Sequence, residues 1–178
     1  MEEEKMADKI RVLLGEEEVN KRINEVAEQI NKDYAGKDIH LICILKGGVF
    51  FACELAKRIT VPVSLDFMQV SSYGDATESS GIVRIKKDLD DTMENKEVII
   101  VEDIIDSGRS MKHLLEYLHA KNPKQVIVAT LFHKPKAAVC QVPIAYKGIE
   151  LENDFVVGRG LDYDGLGRNY PDLYILNA

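Results

Sequence analysis

The feature that most constrains the fold is a nearly continuous run of apolar, mostly β-branched residues over 97–101. A strand of this composition buries both of its faces, which is typical of the centre of a parallel sheet. A turn is predicted over 102–110, followed by apolar residues at helical spacing from Met111 to Leu118 and by another buried strand over 124–132. The order strand, helix, strand predicts an α/β fold with a mostly parallel central sheet.

The rest of the chain continues this alternation of helices and strands. Helical spacing predicts helices over 16–35 and 49–59, and short apolar or alternating runs predict strands over 40–45, 63–70 and 82–87. Several short strand-like pieces follow between residues 144 and 176. The polar stretch over 71–81 is loop-like, and such loops in compact domains are either connections or lids. With 178 residues and no linker or repeat, the chain is interpreted as one domain, 1–178.

The composition excludes several classes of protein. The chain has 23 basic and 30 acidic residues and a net charge of −7, which argues against broad binding to nucleic acid or anionic membranes. No stretch approaches about 18 uninterrupted apolar residues, and the acidic first ten residues lack the apolar core of a signal peptide. Cys43, Cys53 and Cys140 form no CxxC pair, and the first two are interpreted as reduced core residues. We therefore expect a cytoplasmic protein without a disulfide or zinc framework.

The candidate ligand site lies where the predicted strands end, because open α/β sheets bind ligands at the carboxyl ends of their strands. Three loops leave such ends, over 46–48, 102–110 and 133–136. Within the second loop, residues 106–110 place a glycine, two hydroxyls and an arginine at the start of a helix. Free backbone N–H groups and hydroxyls at a helix N-terminus predict a phosphate site. The alternative is that Asp106 or Ser107 only caps the helix.

Two adjacent carboxylates, Glu102 and Asp103, come directly before this candidate phosphate site. At the end of a buried strand they are costly to leave unpaired, so we expect them to meet a cation, hydroxyls or a metal. Carboxylates for sugar hydroxyls beside a phosphate site predict a ribose phosphate as ligand. The chain has no P-loop motif and no strand-linked GxGxxG. Its scattered histidines are interpreted as structural or solvated, and they are His40, His113, His119 and His133.

Residues 98–111 resemble the phosphoribosyl-pyrophosphate signature of the type I phosphoribosyltransferases, with four apolar residues, two acids, two apolar residues, an acid and a glycine-containing hydroxyl turn. The remaining motifs are similar to those of the hypoxanthine-guanine phosphoribosyltransferase family, from about residue 10 to the C-terminus and in the same order. They are a pyrophosphate loop (45–48), a mobile lid (Ser72-Tyr73), a purine-selecting lysine (Lys134), a base-binding hood (155–158 and 161–163) and Arg168-Asn169. The chain departs from the family pattern at Arg159, at 165–167 and after Lys134, where no arginine follows.

The resemblance implies a type I phosphoribosyltransferase fold with a core over about 37–140, a hood from about 1–15 and 141–178, and a lid over about 71–82. It also implies transfer of ribose 5-phosphate from phosphoribosyl pyrophosphate to N9 of hypoxanthine or guanine, giving IMP or GMP and pyrophosphate. The family uses Mg²⁺ and forms homodimers or homotetramers, so we expect both here, with neither a nucleic acid nor a membrane as partner.

The residue roles that the resemblance implies are as follows. Asp106 is expected to be catalytic, and Ser72 and Tyr73 are expected to belong to the lid. The phosphoribosyl group is expected on Glu102, Asp103, Ile105, Asp106, Ser107, Gly108, Arg109 and Ser110. Pyrophosphate is expected on Lys46, Gly47 and Arg168, the purine on Lys134, Phe155, Val156 and Asp162, and the metal on Glu102, Asp103 and Asp162.

Three alternatives stay open at this stage. A regulatory member of the same fold would need a basic face for nucleic acid, which the net charge of −7 disfavours, and it would not need both Asp106 and Lys134. A phosphoribosyltransferase for xanthine, adenine or a pyrimidine is a second alternative, and xanthine is the strongest of these because it shares the 6-oxo group. A binding domain without turnover is disfavoured by the full acidic set.

Overall fold

The computed structural model describes residues 10–72 and 83–176. Along these residues run β1 (Ile10–Leu14), α1 (Glu16–Asp33), β2 (Ile39–Leu45), α2 (Gly48–Ala56), β3 (Val63–Ser72), β4 (Val83–Lys87), β5 (Glu97–Ile105), α3 (Arg109–His119), β6 (Gln125–His133), a 3₁₀ turn (Pro135–Ala137), β7 (Ile144–Glu150), β8 (Val156–Val157) and β9 (Leu173–Leu176).

A six-stranded sheet in the order β4-β3-β2-β5-β6-β7 forms the frame of the molecule. Neighbouring strands are parallel except at β4, which returns antiparallel beside β3. The strand β5 lies inside this sheet, and all five residues over 97–101 are buried, as their composition predicts. The predicted α/β class with a mostly parallel sheet is therefore confirmed.

Helices cover both faces of the sheet, and the alternation along β2 shows how. Leu41 and Cys43 pack in a core with the apolar stripes of α1 and α2. Ile42 and Ile44 point to the opposite face and pack in a second core with α3. Burial of both faces explains why β2 and β5 are apolar without alternation, as expected for parallel strands between helix layers.

A second, three-stranded antiparallel sheet in the order β1-β9-β8 forms the hood together with the loop over 158–172. Val156, Leu173 and Ile175 of this sheet join the core that contains α1 and α2, so the hood is packed onto the main body. The expected hood boundary at residue 141 differs from the structure, because Ile144–Glu150 is the outer strand of the main sheet. Short glycine-punctuated pieces do not reveal in sequence which of two sheets they join.

Two further expectations differ from the structure. The turn predicted over 102–110 begins only at residue 106, because β5 stays paired in register with β6 through Ile105 and His133. Because β6 provides backbone hydrogen-bond partners, β5 continues through its acidic residues Glu102 and Asp103. Cys43 is buried, but Cys53 is exposed on α2 and is not a core residue.

The expected lid is described only at its start. Ser72 ends β3 and pairs with Val83, whereas Tyr73 and the remainder of the expected lid lie outside the described residues. Within the described ranges, no helix combines the length and apolar character that crossing a bilayer requires.

Candidate active site

The expected site residues converge on one edge of the main sheet, where β2, β5 and β6 end side by side. Because these strands are parallel neighbours, the loops after Leu45, Ile105 and His133 leave the same edge. A backbone hydrogen bond of 2.9 Å from the Lys134 N–H to the Ile105 carbonyl joins two of these loops directly. The edge is the ligand-binding position that open α/β sheets share.

The turn after β5 leads into α3 through Gly108, whose φ of +78° is a left-handed conformation. A Cβ at this position would lie 2.6 Å from the Cys140 carbonyl oxygen, so only glycine fits. The carbonyl of Ser107 accepts hydrogen bonds from the N–H groups of Val139 and Cys140 at 2.9 and 3.0 Å. The first turn of α3 is thus held against the loop after β6, with its N-terminal N–H groups at the edge of the sheet.

The alternative role of Asp106 as a helix cap does not agree with this geometry. Gly108 is the N-cap residue of α3, and no side chain among the described residues makes a capping hydrogen bond there. The exposed Asp106 carboxylate instead accepts a hydrogen bond from the neighbouring Ser107 N–H. Ser107 Oγ lies 3.5 Å from the Arg109 N–H, a long contact. Asp106 is therefore available for another task.

The acidic pair lies at the centre of the edge. Burial raises the pKa of Glu102 well above its ordinary range, and the charge of Asp103 beside it adds to the effect. Burial also raises the pKa of Asp103, although the positive charge of Arg168 opposes this. Asp103 is buried and Glu102 partly buried, and two adjacent carboxylates that resist ionisation are a poor arrangement for stability and a good one for a divalent cation. Their donors are all oxygens, which fits Mg²⁺.

The loop after β2 is packed against the acidic pair without space for a side chain. A Cβ on Gly47 would lie 1.6 Å from Asp103 Oδ2 and 2.8 Å from the Gly160 carbonyl oxygen. Gly160 has a φ of +105° and belongs to the hood loop. Lys46, next to Gly47, is exposed, and the peptide bond between Leu45 and Lys46 is cis. Three separate segments of the chain therefore meet at one glycine.

On the hood side, Arg168 and Asp162 form an ion pair of 2.6 Å. Arg168 also donates to the Gly160 carbonyl at 2.7 Å, and Asp162 accepts from the Gly165 N–H at 2.8 Å. Each oxygen of Asp162 thus accepts one contact and keeps a lone pair, so this carboxylate could also hold a metal. The pair lies beside Gly160 and so beside the acidic edge.

The residues expected to bind the purine lie between the loop after β6 and the hood. Lys134 Nζ donates to the Asp154 carbonyl at 2.7 Å, directly before Phe155. The Phe155 ring is 52% exposed and meets the Tyr163 ring edge to face, with centroids 5.8 Å apart. An aromatic ring this exposed offers a free face for stacking. Val156 is buried in β8, so only its backbone could face a ligand.

Some residues of the site were missed by the sequence analysis, and others occupy unexpected positions. Ile104, which was not expected in the site, lines the small cavity beside Asp106 together with Glu102 and Ile105, and Ile105 also packs in the apolar core with α3. The period of two along β5 could have identified Ile104. Arg159 is directed away from the candidate base pocket, because it donates to Asn20 Oδ1 at 2.6 Å and to the Pro171 carbonyl at 3.1 Å.

The sequence is similar to those of known phosphoribosyltransferases. The model of the phosphoribosyl transferase domain family matches residues 13–164. The hypoxanthine-guanine phosphoribosyltransferase of Mycobacterium tuberculosis (strain ATCC 25618 / H37Rv) is 48% identical over 168 residues, covering 91% of this chain and 82% of that protein. The enzyme of the same description from Streptococcus thermophilus (strain CNRZ 1066) is 43% identical over 166 residues, covering 93% and 92%.

Solved structures agree with the sequence relatives. A crystal structure of a hypoxanthine phosphoribosyltransferase from Staphylococcus aureus has a TM-score of 0.93 and 40% identity, covering 97% of this chain and 94% of that chain. The hypoxanthine phosphoribosyltransferase of Trypanosoma cruzi in complex with its product IMP has a TM-score of 0.87 and 34% identity, covering 93% of each chain. The likeness therefore extends over the hood as well as the main sheet.

The raised pKa of Glu102 predicts how stability depends on pH. The folded protein holds the Glu102 proton more tightly than the unfolded chain, so stability falls as pH rises through the folded-state pKa. Glu102→Gln removes the buried charge and keeps the oxygen that accepts from the Asp103 N–H. We expect it to raise the free energy of unfolding by roughly 0.5–2 kcal/mol at alkaline pH.

Urea denaturation at an acidic and an alkaline pH measures this effect. The gain should vanish in acid below the ordinary pKa range of a glutamate, where the wild-type carboxyl is protonated in both states. The exposed Glu116→Gln serves as control and should stay within about 0.5 kcal/mol of wild type at both pH values. A Glu102→Gln variant that is destabilised at alkaline pH would contradict the buried-charge interpretation.

Proposed function

This chain belongs to the phosphoribosyl transferase family, and from that premise we propose how its residues carry out the family's reaction. The enzyme transfers 5-phosphoribosyl from phosphoribosyl pyrophosphate to N9 of hypoxanthine or guanine, giving IMP or GMP and pyrophosphate. This is a pentosyl transfer of purine salvage. Relatives at 43–48% identity carry the hypoxanthine-guanine name, so the xanthine alternative and the regulatory alternative are not favoured.

The observation that carries the assignment of the residues is the meeting of three loops at one edge of the sheet. The N-terminus of α3, with residues 107–110, would hold the 5′-phosphate through backbone N–H groups and hydroxyls. Lys46, the Gly47 backbone and Arg168 would hold the pyrophosphate, because they lie around Asp103 and Gly160. Glu102 and Asp103 would accept hydrogen bonds from the ribose hydroxyls. Binding at both ends orients the bond that breaks.

Glu102 and Asp103 would also hold Mg²⁺, and Asp162 is a further candidate ligand. When bound, Mg²⁺ supplies positive charge that stabilises the departing pyrophosphate. The raised pKa values of Glu102 and Asp103 support this role, since a cation beside these two carboxylates favours their charged form. Asp162 can contribute through the lone pairs that its contacts with Arg168 and the Gly165 N–H leave free, and Arg168 is a proposed ligand of the pyrophosphate. The proposed ligands of cation and pyrophosphate are thus adjacent.

Proton transfer to and from the purine is assigned to Asp106. As N9 attacks the ribose, the proton on N7 becomes more acidic and needs an acceptor. The Asp106 carboxylate is exposed at the end of β5, between the phosphate-binding turn and the loop that carries Lys134. In the reverse direction the same group would return the proton and help the purine leave.

Lys134 and Phe155 would recognise the base. Lys134 Nζ is a donor with no acceptor lone pair, so it suits a 6-oxo group and disfavours the 6-amino group of adenine. Its bond to the Asp154 carbonyl holds it next to Phe155, whose exposed ring would stack on the purine. Backbone groups near Val156 and Asp162 would face the other edge of the base.

A steady-state assay with phosphoribosyl pyrophosphate and Mg²⁺ tests the proposal most directly. Hypoxanthine, guanine, xanthine and adenine are supplied in turn, and nucleotide formation is measured. We expect the highest kcat/KM with hypoxanthine or guanine. Nucleotide formation from xanthine or adenine alone would overturn the base assignment.

A cytoplasmic location, expected from the cysteine pattern, is proposed with the function.

Substitution of Asp106 tests its role in proton transfer. Asp106→Asn keeps an oxygen for the Ser107 N–H and removes the basic group, so kcat should fall by roughly 10²–10⁴-fold. Binding of phosphoribosyl pyrophosphate, measured by calorimetry, should be retained. Asp38→Asn, at an exposed position before β2, is the matched control and should keep wild-type kcat. A variant of Asp106 with more than about a third of wild-type kcat, with chemistry as the slow step, would rule out the catalytic role.

Substitution of Lys134 tests base recognition. Lys134→Ala should cost about 2–5 kcal/mol in kcat/KM for hypoxanthine and guanine, because a charged donor to the 6-oxo group is lost. Affinity for phosphoribosyl pyrophosphate should change little. Lys136→Ala is the control, since Lys136 is paired with the exposed Glu152 at the surface. Equal kcat/KM values in the two variants would show that Lys134 is an ordinary surface lysine.

We further propose that the chain self-associates, through an apolar strip on β3. Val63 and Leu65 are 36% and 44% exposed, and they lie on the same sheet face as α2, where Phe50 is 39% exposed. Such an apolar patch beside packed elements is typical of an interface. Light scattering should give the mass of a dimer or tetramer for the wild type and a smaller species for Leu65→Asp. Val12→Asp, at another exposed apolar position, should leave the mass unchanged. A monomeric wild type would contradict this interface.

A further inference from the structure

His40 lies near the start of β2, at the end of the sheet opposite to the candidate active site. Along a parallel strand the distance from His40 to Lys46 is about 20 Å. The histidine is 1% exposed, and its Nδ1 lies 2.7 Å from Ser64 Oγ on the neighbouring strand. Among the described residues, its Nε2 has no hydrogen-bond partner although it is buried. In the tautomer in which Nδ1 donates to Ser64, Nε2 carries a free lone pair.

Two carboxylates lie beside this imidazole. Asp66, two residues after Ser64 on β3, is 3% exposed, and Asp91 is exposed in the segment after β4. One ring nitrogen of His40 and one carboxylate oxygen from each aspartate lie within 4.8 Å of one another. Three residues far apart in sequence therefore present ligand atoms to one point.

Hydrogen bonds to the backbone fix the orientation of the central carboxylate. Asp66 Oδ1 accepts from the Phe67 N–H at 2.7 Å, and Oδ2 accepts from the N–H groups of Asp90 and Asp91 at 2.9 Å each. One lone pair of Oδ1 stays available after these bonds. Supporting bonds of this kind, like that between His40 and Ser64, orient the ligands of protein metal sites.

We propose that His40, Asp66 and Asp91 form a second metal site, which binds a divalent transition metal and prefers Zn²⁺. An imidazole and two carboxylates match zinc, whereas Mg²⁺ prefers oxygen ligands alone. Tetrahedral zinc needs its ligand atoms about 3.4 Å apart, so the three groups, which lie within 4.8 Å of one another, need to approach by no more than about 1.4 Å. The exposed Asp91 side chain can make this movement, and its open side leaves space for a water as fourth ligand.

Two lysines compete with a metal for these carboxylates. Lys96 Nζ lies 3.9 Å from Asp91 Oδ2, and Lys87 Nζ lies 4.0 Å from Asp66 Oδ1. Both distances exceed a hydrogen bond, and both lysine side chains are about one-third exposed, so a dication can displace them. Lys96→Gln should consequently tighten zinc binding.

The site would join β2 and β3 to the segment that follows β4. A bound zinc should therefore stabilise the fold by mass action, because the unfolded chain does not bring the three ligands together. Since the ligands lie at the far end of the sheet, zinc at this position does not depend on the assignment of the active-site residues.

Calorimetric titration with Zn²⁺ tests the proposal, and it is done in excess Mg²⁺ so that Mg²⁺ competes for sites whose ligands are all oxygens. Wild type should bind one Zn²⁺ per chain and should unfold at a higher temperature when zinc is present. Asp91→Asn should weaken the affinity at least about tenfold. The matched control is Asp90→Asn, which removes the same charge one residue away, outside the triad, and should bind as wild type does.

A spectroscopic measurement identifies the ligands. Co²⁺ in place of Zn²⁺ should give the intense visible absorption of a four-coordinate site in wild type and in Asp90→Asn, and this should be lost in His40→Gln. Because His40 is buried, thermal unfolding first confirms that His40→Gln is folded. Zinc affinity that is equal in Asp91→Asn and Asp90→Asn, or no zinc binding in excess Mg²⁺, would overturn the proposal.

Discussion

The withdrawal of two carboxylates from solvent at the end of an apolar strand, Asp103 buried and Glu102 partly buried, is the constraint on which the rest of the site depends. Residues 97–101 place β5 inside the sheet, and the same strand then continues through Glu102 and Asp103 because β6 still offers backbone partners. The acids are consequently held by sheet hydrogen bonds and not by a loop. A rigid element keeps them in position, and burial makes their charges costly in the absence of a cation.

The neighbouring segments of the chain pack closely around this acidic edge. Gly47 lets the loop after β2 approach Asp103, and Gly160 lets the hood approach Gly47. Arg168 brings a positive charge toward Asp103 while it is itself held by Asp162 and the Gly160 carbonyl. The two adjacent carboxylates lower the stability of the fold at this edge, as is common where binding groups are held ready for a ligand.

Much of the fold could be predicted from the sequence, because apolar runs and helical spacing report burial directly. The sheet edge with residues 106–110, Lys134 and the acidic pair could be found because parallel strands end together. The features that could not be predicted are those that depend on how the strands pair with one another. The backbone partners of β6 determine how far β5 extends, and this extension brings Ile104 as well as Ile105 to the cavity beside Asp106. The assignment of Ile144–Glu150 to the main sheet and the meeting of His40, Asp66 and Asp91 follow from strand register, which composition does not reveal.

The contact between Gly47 and Asp103 has a consequence for how such a protein can evolve. Gly47 has a φ of −64° and a ψ of −36°, an ordinary helical conformation, so glycine is required for space and not for backbone freedom. Every other residue adds a Cβ, which would overlap Asp103 Oδ2. No single substitution of Gly47 can therefore be accommodated while Asp103 keeps its position. A lineage could change one of these residues only together with the other, so the two positions should be inherited as a pair.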